Sequence, residues 1–115
     1  MSALVYKICS ARLWREAERT GRFVGAGIDL ADGFIHLSAA DQVAGTAAKH
    51  FFGQSDLVLV AIVGDALGPS LKWEVSRGGA LFPHLYGPLP LTAVRWTKPL
   101  PLDANGQPLL PDLTP

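Results

Sequence analysis

The run Leu57 to Val63 is unbroken, apolar and rich in β-branched residues. A strand with one wetted face alternates polar and apolar side chains, whereas an all-apolar strand needs packed material on both faces. The run therefore predicts the middle strand of a covered sheet. It is about a third of the length that crosses a bilayer.

The segments around it show what can supply the cover. Leu4 to Cys9 alternates Leu4, Tyr6 and Ile8 against Val5, Lys7 and Cys9, the pattern of a strand. Ser10 is placed to cap a helix with the apolar stripe Leu13, Trp14 and Ala17, and Gly21 to end it. Gly21 to Gly33 carries four glycines and no period, so it is expected to be an ordered loop or extended segment. Gly33 to Ser38 reads as a strand with Phe34, His36 and Ser38 on one face. Ser38 with Asp41 resembles a capping box opening a second helix, whose Ala40, Val43, Ala44, Ala47 and Phe51 recur at helical spacing until Gly53. Gly45 inside that helix costs on the order of 1 kcal/mol relative to alanine, which predicts a close packing partner.

Leu71, Trp73 and Val75 alternate with Lys72 and Glu74 in a further strand, and Arg77-Gly78-Gly79 reads as a flexible connection. Pro83, Pro88 and Pro90 exclude an interior ladder position, so residues 82–90 are expected to form an edge strand or a shaped loop. Thr92 to Lys98 alternates as a last core strand. Residues 99–115, rich in Pro and Leu around Asn105-Gly106, read as a surface strap or hairpin. The order strand, helix, strand, helix, then strands predicts an α+β fold with a mixed or antiparallel sheet and two helices. A single domain over residues 1–115, with its core in 4–98, is expected.

Composition narrows the function classes. At 115 residues and 49% hydrophobic, the chain can bury a core without staples. Ten basic and ten acidic side chains cancel, which argues against duplex DNA or RNA as the main partner. One cysteine, Cys9, allows neither an intrachain disulfide nor a Cys-rich zinc site. Met1 to Lys7 lacks the basic and apolar regions of a signal peptide, so a cytoplasmic protein without membrane association is expected.

Chemistry concentrates in three places. A neutral His36 can donate from one ring nitrogen and accept at the other, so with Ser38 it could position a sugar hydroxyl or a phosphate oxygen beside a helix N-terminus. The alternative is a buried histidine tying strand to loop. Glu74, with Lys72 on the same face, either belongs to a solvated strand surface or orients a hydroxyl and stabilises an oxocarbenium-like centre. His84 and Tyr86, pre-set by flanking prolines, either wall a ligand or serve the core. His36, His84 and Glu74 could in principle ligate zinc, but they lack a diagnostic spacing, and no metal is expected. His50 suits the C-terminal end of its helix, and Cys9 has no base nearby in sequence. Gly25-Ala26-Gly27 follows a helix rather than a strand and fails the dinucleotide fingerprint.

Val5-Tyr6-Lys7-Ile8, Asp32-Gly33-Phe34-Ile35-His36-Leu37-Ser38 with Asp41-Gln42-Val43, Trp73-Glu74, and Phe82-Pro83-His84-Leu85-Tyr86-Gly87-Pro88 together resemble a small bacterial family catalogued as domain of unknown function 952. That family is similar in fold to the ADP-ribosyltransferases, and the His-Leu-Ser strand resembles that of the RNA 2'-phosphotransferases, which use NAD. The resemblance implies a split sheet that grips a nicotinamide dinucleotide. His36 and Ser38 would hold it, His84 or Tyr86 would wall the nicotinamide, and Glu74 would take the acidic position. Relatives commonly carry histidine where this chain has Lys7, and lysine can donate but not accept a hydrogen bond. The implied activity is ADP-ribosyl transfer or hydrolysis acting on a small molecule or a protein, with NAD as substrate. A non-catalytic nucleotide-binding module and a structural protein without ligand are the alternatives.

Overall fold

In the computed structural model, which describes residues 3–113, Leu57–Val63 forms β5 inside a four-stranded antiparallel sheet. Its neighbours are β1 (Leu4–Ser10) and β9 (Val94–Leu100), and β4 (Ser38–Ala39) pairs with the outer edge of β1. β5 pairs with β1 along its full length, from Leu57↔Ser10 to Val63↔Leu4. Its ladder with β9 is interrupted by an irregularity between Ala61 and Ile62.

Both faces of this sheet are covered, as the apolar run requires. Leu59, Val60, Ala61 and Ile62 have no exposed surface. On one side Val5, Cys9, Val60 and Ile62 pack with Trp14 and Ala17 of α1 (Ala11–Thr20) and with Ile35, Leu37 and Leu85. On the other, Tyr6, Ile8, Leu57, Leu59 and Ala61 meet Val43 and Ala47 of α3 (Val43–His50). Leu110 and Leu113 of the C-terminal strap pack against the same cluster. Each fully buried aliphatic side chain stabilises the fold by about 1.5–3 kcal/mol.

α1 begins and ends where its sequence signals stand. Ser10 Oγ accepts a hydrogen bond from the Leu13 N–H at 3.2 Å. Gly21, at φ 90°, donates its N–H to the Ala17 carbonyl at 2.8 Å.

A separate three-stranded antiparallel sheet runs in the order β3 (Ile35–His36), β7 (Leu81–Leu85), β6 (Leu71–Val75). β2 (Arg22–Phe23) and β8 (Leu89–Pro90) make a small two-stranded ladder. Among the described residues every strand pair is antiparallel. The fold is therefore α+β with several antiparallel sheets and few helices.

Five sequence expectations need correction. Residues 21–33 are not simply loop: they contain β2 and the short helix α2 (Gly27–Asp32), which has too few residues to show a period. The chain thus has three α-helices rather than two among its described residues. The strand Gly33 to Ser38 is really two, because the chain changes sheets at Leu37: β3 pairs with β7, whereas β4 pairs with β1. Ser38 opens no helix, since α3 starts at Val43 and the Ser38 hydroxyl is hydrogen-bonded to Thr46 Oγ1 at 2.9 Å. Gly45 lies on the exposed side of α3, so no close packing partner explains it.

The fifth correction concerns the prolines. β7 is the centre of its sheet, with Pro83 inside it. The nitrogen that lacks a proton faces β3, and β3 ends at His36, beside Pro83. There Leu37 donates to the Pro83 carbonyl at 3.1 Å, and the reciprocal bond, which proline could not make, falls where the chain departs for the other sheet.

The strap turns at Asp103 to Gly106, where the Asp103 carboxylate accepts from the N–H groups of Asn105 and Gln107. A bridge joins Leu102 to Pro108, and Tyr6 Oη donates to the Leu113 carbonyl at 3.0 Å. Arg77–Gly79 forms a single 3-10 turn between β6 and β7.

Candidate functional site

The register of the three-stranded sheet decides which side chains meet. His36 lies opposite His84, and His84 opposite Lys72, while Glu74 lies opposite Phe82. Side chains two residues apart on a strand share a face. Phe34, His36, His84, Tyr86, Lys72 and Glu74 therefore project from one side of the sheet. Phe34 sits at its centre: ring centroids are 4.1 Å apart for Phe34 and His84, 4.5 Å for Phe34 and His36, and 5.2 Å for Phe34 and Tyr86. The two imidazoles also meet edge to face at 5.7 Å, so the three rings pack as a triangle.

Glu74 organises one half of the cluster. Its Oε1 accepts from Tyr86 Oη at 2.7 Å and faces His84 Nδ1 at 2.8 Å. The Tyr86 bond, and after it the His84 bond, hold the Glu74 carboxyl below the usual glutamate range. The same contact raises the Tyr86 phenol above its ordinary value. A neutral His84 that donates from Nδ1 to this carboxylate keeps a lone pair at Nε2. The Lys72 ammonium stands 5.3 Å from the centre of the Tyr86 ring. Glu74 and Tyr86 both retain 40% of their surface, so this half is open to solvent.

Asp29 organises the other half from beneath. It is 2% exposed and is held in α2, where its Oδ2 accepts from the Ala26 N–H at 2.8 Å. Lys7, equally buried on β1, places Nζ 2.9 Å from Oδ2 and 3.1 Å from Oδ1, and also donates to the His36 carbonyl. Asp29 Oδ1 further accepts from the His36 backbone N–H at 3.0 Å and faces His36 Nδ1 at 2.7 Å. Burial alone would raise the Asp29 carboxyl, but the Lys7 ammonium and the donated N–H groups outweigh it and hold the group below the ordinary aspartate range. His36 Nε2 stands 3.0 Å from Asp32 Oδ2, so both ring nitrogens face carboxylates, and both donate only when the imidazole is doubly protonated.

Gly25 makes the Asp29 turn possible. At φ +116° it adopts a backbone that L side chains rarely take, and a Cβ there would lie 2.8 Å from Asp29 Cβ.

The residues singled out from the sequence are thus distributed unevenly. Glu74, His84 and Tyr86 form one hydrogen-bonded group, and His36 joins it through the edge of the His84 ring and through Phe34. Lys7 reaches His36 only through Asp29 and the His36 carbonyl, and its ammonium is occupied there. Ser38 is buried, points to Thr46 and lies outside the cluster. Glu74 takes its hydrogen bonds from Tyr86 and His84, and the Lys72 ammonium adds only a smaller charge effect that also lowers the carboxyl. His36, His84 and Glu74 do not assemble as a zinc triad, and among the described residues no group of three His, Cys, Asp or Glu side chains is arranged to hold a metal. Cys9 is buried in the core and its thiol is pushed up to about 11, chiefly by desolvation, which removes it as a nucleophile. His50 ends α3, where its carbonyl accepts from Gln54 Nε2.

Asp29, Asp32 and Phe34 are the residues that sequence reasoning missed. One signal was available for Asp29. Lys7 alternates with Val5 and Cys9 on the face of a core strand, and a buried ammonium demands a carboxylate partner.

Two concavities adjoin the sheet. One of about 260 Å³ borders the Phe34 side of the cluster and is lined by Val24, Asp29, Leu30, Phe34 and Pro88 among others. The other, about 330 Å³, lies on the opposite face beside Leu71 and Trp73.

A family model described as "Protein of unknown function (DUF952)" matches residues 8–97. The chain belongs to that family. The site elements β3, β6 and β7 of this DUF952 member lie inside the matched span, whereas β1 enters it only at Ile8, one residue after Lys7. The crystal structure of protein CC0527 from Caulobacter crescentus is similar, with 56% identity and a TM-score of 0.90 over 92% of this chain and 93% of that one. The solution NMR structure of the same protein gives 56% identity and a TM-score of 0.82 over 91% and 90% of the two chains. No curated protein matches the sequence. Among the described residues, no helix of this DUF952 member is long and apolar enough to cross a membrane.

Proposed function

We propose that this protein is a cytoplasmic NAD- or ADP-ribose-binding protein with an ADP-ribosyltransferase-like fold, and that it transfers or hydrolyses the ADP-ribosyl group. The observation that carries this reading is the Glu74 carboxylate, ionised, half exposed and oriented by two donors beside an aromatic wall. A flat nicotinamide or adenine ring would stack on Phe34 and Tyr86. Glu74 would accept a ribose hydroxyl and stabilise the positive charge that develops as the glycosidic bond lengthens. In that step nicotinamide leaves with the electron pair of the C–N bond, which discharges its ring nitrogen. The ribosyl centre is captured by water or an acceptor nucleophile, whose proton passes to the exposed Glu74 carboxylate and then to solvent. The acceptor is a small molecule or a protein group, in keeping with the balanced charge of the chain.

One observation favours binding without turnover as the second reading. Both ring nitrogens of His36 and the Lys7 ammonium are already engaged by carboxylates, so neither contributes a free group to a ligand. Incubation with NAD, with nicotinamide release followed by chromatography, separates the two. Transfer or hydrolysis predicts release that Glu74→Gln abolishes while calorimetric affinity for ADP-ribose persists. Affinity without release supports the binding module. Absence of heat with both NAD and ADP-ribose at millimolar concentration overturns the proposal.

A further inference from the structure

β6 is an edge strand. It pairs with β7, and among the described residues no strand pairs with its other side. The ladder with β7 fixes which backbone groups that side presents. Tyr86 donates to the Ser70 carbonyl and Ser76 to the Ala80 carbonyl, so the residues of even number, 70 to 76, turn their N–H and C=O groups inward to β7. Leu71, Trp73 and Val75 turn theirs outward. The Leu71 N–H is taken by the Gly68 carbonyl; the Leu71 C=O and both groups of Trp73 and Val75 face the open edge.

One face of this strand, opposite the charged Lys72 and Glu74, is unusually apolar for an open edge. Trp73 is 45% exposed and Val75 70%, and Leu81, the cross-strand neighbour of Val75, is 51% exposed. Natural edges are commonly blunted by charge, proline or a bulge to avoid pairing with another chain. Here the face of Trp73, Val75 and Leu81 is apolar, and the groove of about 330 Å³ runs beside Leu71 and Trp73.

The sequence Leu71-Lys72-Trp73-Glu74-Val75 is its own antiparallel complement. A two-fold axis through Trp73 sets Lys72 opposite the partner's Glu74 and Glu74 opposite the partner's Lys72. Leu71 then faces the partner's Val75, and the outward N–H and C=O of Trp73 bond reciprocally with those of the partner's Trp73. The parity is right as well, because the outward groups belong to residues 71, 73 and 75. Centring the axis on Lys72 or on Glu74 instead would set like charges directly opposite, a destabilising arrangement.

We propose that this chain forms a symmetric dimer by antiparallel pairing of β6 with β6 of a second copy, centred on Trp73. Isologous two-fold contacts are the commonest route to a homodimer. The three-stranded sheets join into one six-stranded sheet, which buries both Trp73 side chains over the groove. Lys72 and Glu74 lie on the face of the candidate site, so the partner's Lys72 comes to rest beside Glu74. Each cluster of Glu74, His84 and Tyr86 thereby gains an ammonium from the other subunit. The pairing does not depend on NAD chemistry, and its test reads assembly rather than turnover.

Sedimentation equilibrium of the full chain, up to millimolar concentration, is expected to show a dimer. Lys72→Glu sets two pairs of carboxylates opposite one another and weakens the dimer by about tenfold or more. The double exchange Lys72→Glu with Glu74→Lys restores opposite charges and with them the dimer. Circular dichroism checks that each variant is folded. Independently, Trp73→Cys places two sulfurs on backbones about 5.5 Å apart, within disulfide reach, so oxidation gives a covalent dimer, whereas Val24→Cys gives none. A wild-type chain that stays monomeric refutes the proposal and leaves the edge to a foreign strand. A dimer indifferent to Lys72→Glu, or a folded double variant that fails to recover, refutes it equally.

Discussion

Replacing Lys7 by methionine tests whether the buried ion pair beneath His36 is held together as the distances indicate. The substitution keeps the length and apolar stem of the side chain and removes only the ammonium. Lys7 Nζ stands 2.9 Å from Asp29 Oδ2, with side-chain exposures of 7% and 1% for the two residues. Two unit charges at that separation attract by roughly 6 kcal/mol at an effective dielectric of about 20. Both groups paid to leave water, so the attraction is not the net contribution. Removing one partner of a buried pair typically costs about 3–5 kcal/mol, because the remaining charge stays buried. Asp29 keeps the Ala26 and His36 backbone N–H groups and the His36 ring, which places the expected cost at about 3 kcal/mol. For a domain of this size that is a fall in Tm of roughly 10 °C.

The pH dependence gives the same reasoning a second check. Asp29 is depressed in the folded state, so its contribution is present above the unfolded aspartate value of about 3.9 and is lost as pH falls through the folded value. Lys7→Met removes the ammonium that lowers Asp29 and leaves burial, which raises it. The gap in stability between wild type and variant should therefore be open at pH 7, begin to narrow as pH falls through the variant's raised Asp29 value, and go on narrowing until the depressed wild-type value is passed. Urea unfolding followed by circular dichroism at pH 7 and at acid pH measures both. A loss below about 1 kcal/mol at pH 7, or a gap that does not change on acidification, would refute the assignment of Asp29 as an ionised, Lys7-paired group.

Three further outcomes are expected. Gly25→Ala forces a Cβ to within 2.8 Å of Asp29 Cβ at a left-handed backbone position, and should destabilise by about 2 kcal/mol or more in thermal unfolding. Cys9, buried with its thiol pushed up to about 11, should resist iodoacetamide at neutral pH in the native chain and react after unfolding in urea, as intact mass reports. Glu74→Ala removes the acceptor whose hydrogen bond, more than its charge, raises the Tyr86 phenol, so NMR titration of the Tyr86 ring should show its ionisation moving down toward the ordinary tyrosine value.

The parts of the fold that could be read from sequence are those set by local rules. Ser10, the stripe Leu13, Trp14 and Ala17, and Gly21 specify a helix without help from elsewhere, and an all-apolar β5 fits only the inside of a sheet. What escaped depends on partners distant in sequence. Periodicity runs unbroken from Ile35 through Ser38, yet it carries no information about which sheet a residue joins, so the change at Leu37 was invisible. Pro83 looked incompatible with a central strand because the rule concerns the hydrogen bond, not the residue. The fold places the missing donor where β3 ends. The site divides the same way. His36, Glu74, His84 and Tyr86 stood out by chemical type, whereas Asp29 sits in a glycine-rich segment with no period, and only the need of buried Lys7 for a carboxylate pointed to it.

The central claim is that the face carrying Phe34, His36, Lys72, Glu74, His84 and Tyr86 binds the ADP-ribosyl part of a nicotinamide dinucleotide. A ¹H–¹⁵N NMR titration of the assigned protein with ADP-ribose tests it most directly. Saturable shifts centred on those six residues and on the loop of Gly87 and Pro88 are the expected result. A spectrum unmoved at millimolar ligand, or shifts gathered on the α3 side of the four-stranded sheet, would contradict the account.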